Sequence, residues 1–102
     1  MSKEEKCAEL ILDTMALLWR HAELLDQETG PVLLDEAAAM QDLLLERRNV
    51  EGALDRLARC VYHVQVLAEA QGHPGADVLR RRGRELLQVR DWQANAMARR
   101  GR

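Results

Sequence analysis

The chain has 102 residues, room for one domain with a single modest core and a stability of roughly 5–15 kcal/mol. Hydrophobic residues make up 47% and charged residues 31%, and the apolar set is aliphatic, with seventeen Leu, two Trp, one Tyr and no Phe, a globular composition that favours helix over sheet. Apolar runs fall far short of the ~20 residues that span a bilayer, and the charged start Ser2-Lys3-Glu4-Glu5-Lys6 does not resemble a signal peptide, so the expected location is the cytoplasm.

Ser2-Lys3-Glu4-Glu5 has the form of a capping box and starts a helix expected to run to about Gln27, with Gly30-Pro31 beyond it. Its apolar residues repeat every seven as Leu10/Leu17/Leu24, Ile11/Leu18/Leu25 and Ala8/Met15/Ala22, three adjacent columns. A stripe that wide needs partners on more than one side, as in a bundle interior or a dimer seam. Pro31 suits the first turn of a second helix, with Leu33, Ala37, Met40 and Leu44 on one face, Leu34, Ala38 and Leu45 beside it, and an end near Arg48.

Asn49 then reads as the N-cap of a third helix, with Glu51 in its first turn. Val50, Leu54, Leu57, Val61, Val64 and Ala68 alternate steps of four and three, the cleanest pattern in the chain, and Gly72 and Pro74 close it. A fourth segment, about Pro74 to Ala98, is weaker. Gly83 costs ~1 kcal/mol in a helix interior, sizeable apolar residues are sparse, and fraying is expected beyond Trp92. Short connections force neighbouring helices antiparallel. The expected fold is a single all-α domain over 1–102, a small antiparallel bundle of three to four helices, completed by homodimerisation because the apolar columns of the first two helices exceed what one small core needs.

Charge is split along the chain. Residues 75–102 carry eight Arg against Asp77, Glu85 and Asp91, a net of +5, while residues 1–74 carry seven Lys and Arg against fourteen acids, a net of −7. Opposite fields on two ends of a small domain point to a contact within the chain or with another chain rather than to a pocket.

Chemistry-bearing constellations are scarce. Cys7 and Cys60 are isolated and read as small buried hydrophobes. Cys60 and His63 have a ligand-like spacing, but two ligands do not hold zinc and His21 and His73 add no matching spacing, so no metal or cofactor is expected. Asp35-Glu36-Ala37-Ala38-Ala39 followed by Arg56-Leu57-Ala58-Arg59, then Val61-Tyr62 and Gly72, is loosely similar in helix order to the all-α nucleoside triphosphate pyrophosphohydrolases, in which Glu-Glu-x-x-Glu and Glu-x-x-Asp hold magnesium. That resemblance implies a degenerate or atypical phosphohydrolase as the rival reading, because guanidinium groups stand where carboxylates should converge. No nucleophile elbow or glycine-rich phosphate loop occurs.

What remains is surface. Arg80, Arg81 and Arg84, with Trp92 beyond them, can follow a phosphate backbone, pair with the acids of the first two helices, or meet an acidic protein. An isoelectric point near 5.9 argues against nucleic acid. Trp19 lies beside the main stripe and has the character of an interface anchor, whereas Tyr62 reads as a rim residue. The expectation is a non-catalytic, regulatory protein-interaction module that contacts another protein, and a second copy of itself, through Leu10, Ile11, Met15, Leu18, Trp19, Leu25, Arg80, Arg81, Arg84 and Trp92.

Overall fold

The computed structural model describes the backbone of residues 3–100 and the side chains of residues 5–96. The Ser2 capping box and the Met97, Arg99, Arg100 and Arg102 side chains lie outside those residues. Four helices follow in order: α1 (Lys3–Arg20), α2 (Thr29–Leu45), α3 (Val50–Ala70) and α4 (Ala76–Arg100), with a short 3-10 turn at Ala22–Leu24. No strand occurs among the described residues.

α3 is the centre. Leu57, Val61, Val64 and Ala68 are fully buried and Leu54 almost so, as the four-three period requires. Its partners run antiparallel to it. Glu69 near the end of α3 meets Arg80 near the start of α4 at 2.9 Å, and Asp55 meets Arg90 at 2.7 Å, so the two helices pass each other head to tail. On the other side Leu33, Leu34, Ala37, Met40 and Leu44 of α2 are buried, and the Cys60 thiol lies 4.0 Å from the Leu33 carbonyl. α1 completes the up-down bundle, burying Ile11, Thr14, Met15, Leu17 and Leu18.

That burial corrects the expected dimer seam. Ile11 and Met15 are buried and Leu18 is 0% exposed within one chain, while Leu10, Ala22, Leu24 and Leu25 are half-buried against the same core. The wide stripe of α1 is covered by its own chain because α2 and α4 flank it. The second column of α2 is covered only in part: Leu34 is buried, while Ala38 and Leu45 face solvent.

α1 also stops about two turns early, at Arg20 rather than near Gln27. At its end the His21 ring nitrogen Nδ1 lies 2.8 Å from the Leu17 carbonyl, Leu25 turns extended, and Asp26 takes over as a cap. Its Oδ1 accepts from the amides of Glu28 at 2.9 Å and Thr29 at 2.6 Å and from the Thr29 hydroxyl at 2.8 Å, the N-cap pattern. The Thr29 amide, and then its hydroxyl, hold the Asp26 carboxyl below the usual carboxylate range.

The helix ends of α2 and α3 use the same hydrogen bonds with different residues. At α3 the amide of His73 donates to the Ala68 carbonyl at 2.8 Å around Gly72, whose φ of 63° favours glycine. At α2 the amide of Arg48 donates to the Leu43 carbonyl at 2.8 Å, and the left-handed position is Arg47, with a φ of 58°. Asn49 is left-handed as well, at φ 46°, and makes no side-chain cap, so it serves the turn through its tolerance of that conformation rather than through the hydrogen bond expected of it.

α4 neither breaks nor frays at the expected places. It continues through Gly83 and past Trp92 as one helix, because Leu79 and Leu86 are fully buried and long contact with α3 holds it. A Cβ built on Gly83 would meet only Val61 Cγ1, at an ordinary 3.8 Å.

Two stability predictions follow from these contacts. Leu57→Ala should lose roughly 2–5 kcal/mol in urea unfolding, the cost of a cavity in a site that cannot collapse; a loss under about 1 kcal/mol would place Leu57 outside the core. Gly83→Ala should gain ~0.5–1 kcal/mol in the same measurement, since it removes helix-interior flexibility without a clash.

Candidate functional site

The basic segment divides into anchored and free arginines. Arg80 bridges Glu69 at 2.9 Å and Asp77 at 3.0 Å, and Arg90 bridges Asp55 at 2.7 Å and Asp91 at 3.0 Å. Hydrogen bonding to Glu69 raises Arg80 above its usual value, and Asp91 and then Asp55 do the same for Arg90. These acids belong to α3 and α4, so pairing with the first two helices, one of the three fates open to the segment, is not what the described contacts show. Arg81 and Arg84 are exposed and make no ion pair among the described residues. Three and four residues apart from their neighbours on one side of α4, they border a shallow recess with Arg80, Asp77, Glu85 and Gln88.

Arg82 turns the other way. Its Nη1 reaches the Leu10 carbonyl of α1 at 3.5 Å, sharing that acceptor with the Thr14 hydroxyl at 2.6 Å, and its Nε is buried without a hydrogen-bond partner among the described residues. This guanidinium therefore contributes to the α1–α4 contact rather than to the outer surface.

At the opposite end from the α3–α4 turn, a cleft of about 690 Å³ opens between α1, the α2–α3 turn and α4. Leu10, Ile11, Leu44, Val89 and Trp92 line it, with Arg47 at its edge. Of the ten expected contact residues, the fold thus gathers Leu10, Ile11 and Trp92 at this cleft and Arg80, Arg81 and Arg84 on α4. It leaves Met15, Leu18 and Leu25 in or against the core and Trp19 alone on the outer face of α1, 62% exposed. Sequence reading missed Leu12, which is 52% exposed on the same side of α1 as Trp19; the seven-residue spacing between them was the available signal.

The metal spacing dissolves in three dimensions. Cys60 is buried and His63 exposed, so the two face different surroundings. His21 and His73, far apart in sequence, instead meet edge to face with ring centroids 5.2 Å apart. Gly75 completes that contact: a Cβ there would collide with His21 Nε2, so glycine lets the α3–α4 turn close over the ring. No group of three His, Cys, Asp or Glu side chains converges among the described residues. The segment resembling a pyrophosphohydrolase places Asp35, Glu36, Arg56 and Arg59 on the surface and Leu57 and Ala58 in the core.

No protein-family model matches the chain, and no curated protein and no solved structure matches it either. The class that the structure itself defines is an all-α, antiparallel four-helix domain, in which no described helix is long and apolar enough to cross a membrane.

Burial, and secondarily the Glu36 carboxylate, pushes the Cys60 thiol up to about 11. At pH 8 roughly 0.1% of it is then thiolate. Native protein treated with iodoacetamide at pH 8 should leave Cys60 unmodified on mass spectrometric mapping, while protein in denaturant should be alkylated there; rapid native labelling would contradict the burial.

Proposed function

We propose that the domain is a non-catalytic protein-interaction module with a regulatory role, an adaptor, an inhibitor of a transcriptional activator or an escort chaperone, whose α4 recognises an acidic protein surface. The observation that carries this reading is the pair Arg81 and Arg84, exposed and without an ion pair among the described residues, on a helix whose Arg80 and Arg90 are held by acids. Arg80 and Arg90 fix the helix and its register against α3, so two guanidinium groups are presented from a rigid element rather than from a loop. Such groups complement carboxylates and speed encounter more than they add affinity. Self-association belongs to the same reading, but through a face other than the one the sequence pointed to, since the wide stripe of α1 is internal.

The test is reversal of the free pair. Arg81→Glu with Arg84→Glu should leave the melting temperature within ~2 °C of wild type, because neither side chain has an ion-pair partner among the described residues. Recovery of a defined partner from native extract should fall, through a slower association rate, with the difference narrowing from ~50 to ~500 mM salt. Unchanged recovery would overturn the acidic-partner reading. Retardation of random DNA by wild type at physiological salt, lost on reversal, would replace it with a nucleic-acid surface.

A further inference from the structure

We infer that α1 carries a self-association seam through Leu12, Ala16 and Trp19, occupied by the same helix of a second copy in antiparallel orientation. This names the face for the self-association proposed above and rests on that reading. Leu12, Ala16 and Trp19 stand at spacings of four and three, one above another along the outer face of α1, and all three are exposed, Leu12 by 52% and Trp19 by 62%. They are the apolar members of the side of this helix that its own chain leaves uncovered, beside Glu9, Asp13 and Arg20, as Ile11, Thr14, Met15, Leu17 and Leu18 point inward.

Charge selects the occupant. Asp13 and Arg20 flank the stripe on the same side, both exposed, and neither makes an ion pair among the described residues. They cannot pair with each other along α1, because a separation of seven residues is ~10 Å of helix rise. A two-fold axis across the helix at Ala16 solves this. It keeps each flank on its own side while reversing the direction, so Asp13 of one copy lies within one residue step, ~1.5 Å along the axis, of Arg20 of the second copy. The same operation sets Leu12 against Trp19 of the second copy, twice, with Glu9 on the far side of that arginine. Ala16 sits on the axis, where its single methyl lets the helices approach closely. A parallel two-fold would instead exchange the flanks and leave Asp13 and Arg20 of the two copies on opposite sides of the seam, unpaired.

A stripe of this length buries less than the ~800 Å² per partner of a standard interface, so dissociation on the order of 0.1 mM is expected. Sedimentation equilibrium of the full chain from ~10 µM to ~1 mM should therefore show monomer passing to dimer. Asp13→Arg, and separately Arg20→Asp, should weaken the dimer about tenfold, and the combined swap should restore it to within about threefold, the signature of the cross-pair. In a Cys7→Ser background, Ala16→Cys should oxidise to a disulfide-linked dimer, since residue 16 faces its own copy. Dimers indifferent to the swap and unlinked through position 16 would overturn this seam while leaving self-association standing. A wild type that stays monomeric to ~1 mM would overturn both. Arg81→Glu with Arg84→Glu should leave the dimer unchanged, so the partner surface of α4 is judged separately.

Discussion

Burial of α3 is the constraint on which the rest of the structure depends. Its seam from Leu54 to Ala68 has no polar interruption, and a helix buried on that much of its circumference must be covered from several directions. α2 and α4 cover it by running back along it after short turns, and α1 closes what they leave. Because α1 is needed for that closure, its broadest apolar columns are spent internally, and the apolar part of the face left to solvent is the narrow line through Leu12, Ala16 and Trp19. The location of the exposed surface is thus a consequence of the core.

The charge distribution follows the same order. Antiparallel contact between α3 and α4 brings Glu69 to Arg80 and Asp55 to Arg90, at 2.9 and 2.7 Å. Ion pairs this exposed add little to stability, but they fix where the remaining arginines point. Arg82 faces α1, and Arg81 and Arg84 are left on the outside. One run of basic residues therefore has three roles, register, interhelix contact and free surface, separated by the helical turn of ~100° per residue.

Function at such surfaces depends on rigidity as much as on composition. The free arginines of α4 and the stripe of α1 both sit on helices rather than loops, and the turn between α3 and α4 is pinned where Gly75 admits His21 against His73. Partner recognition from preset helices loses less conformational entropy than recognition from mobile segments. The left-handed Arg47 at the edge of the end cleft is the counterexample, a backbone position that glycine would occupy more easily.

By itself the sequence determined the all-α class, a bundle of three to four helices, the buried seam of α3, the first face of α2 and the Gly72 end of α3. Each rests on a local period or cap, so a short window of residues carries the whole signal. The stop of α1 was legible too, in Asp26 followed three residues on by Thr29, but the seven-residue repeat across Leu17, Leu18, Leu24 and Leu25 masked it. Only the tertiary structure decided which apolar columns face inward, that Arg80 and Arg90 are held while Arg81 and Arg84 are free, and that His21 meets His73. Periodicity shows that a helix has an apolar side and cannot say whether its own chain or another covers it. The answer lies in pairings between residues far apart in sequence, which exist only once the helices have packed.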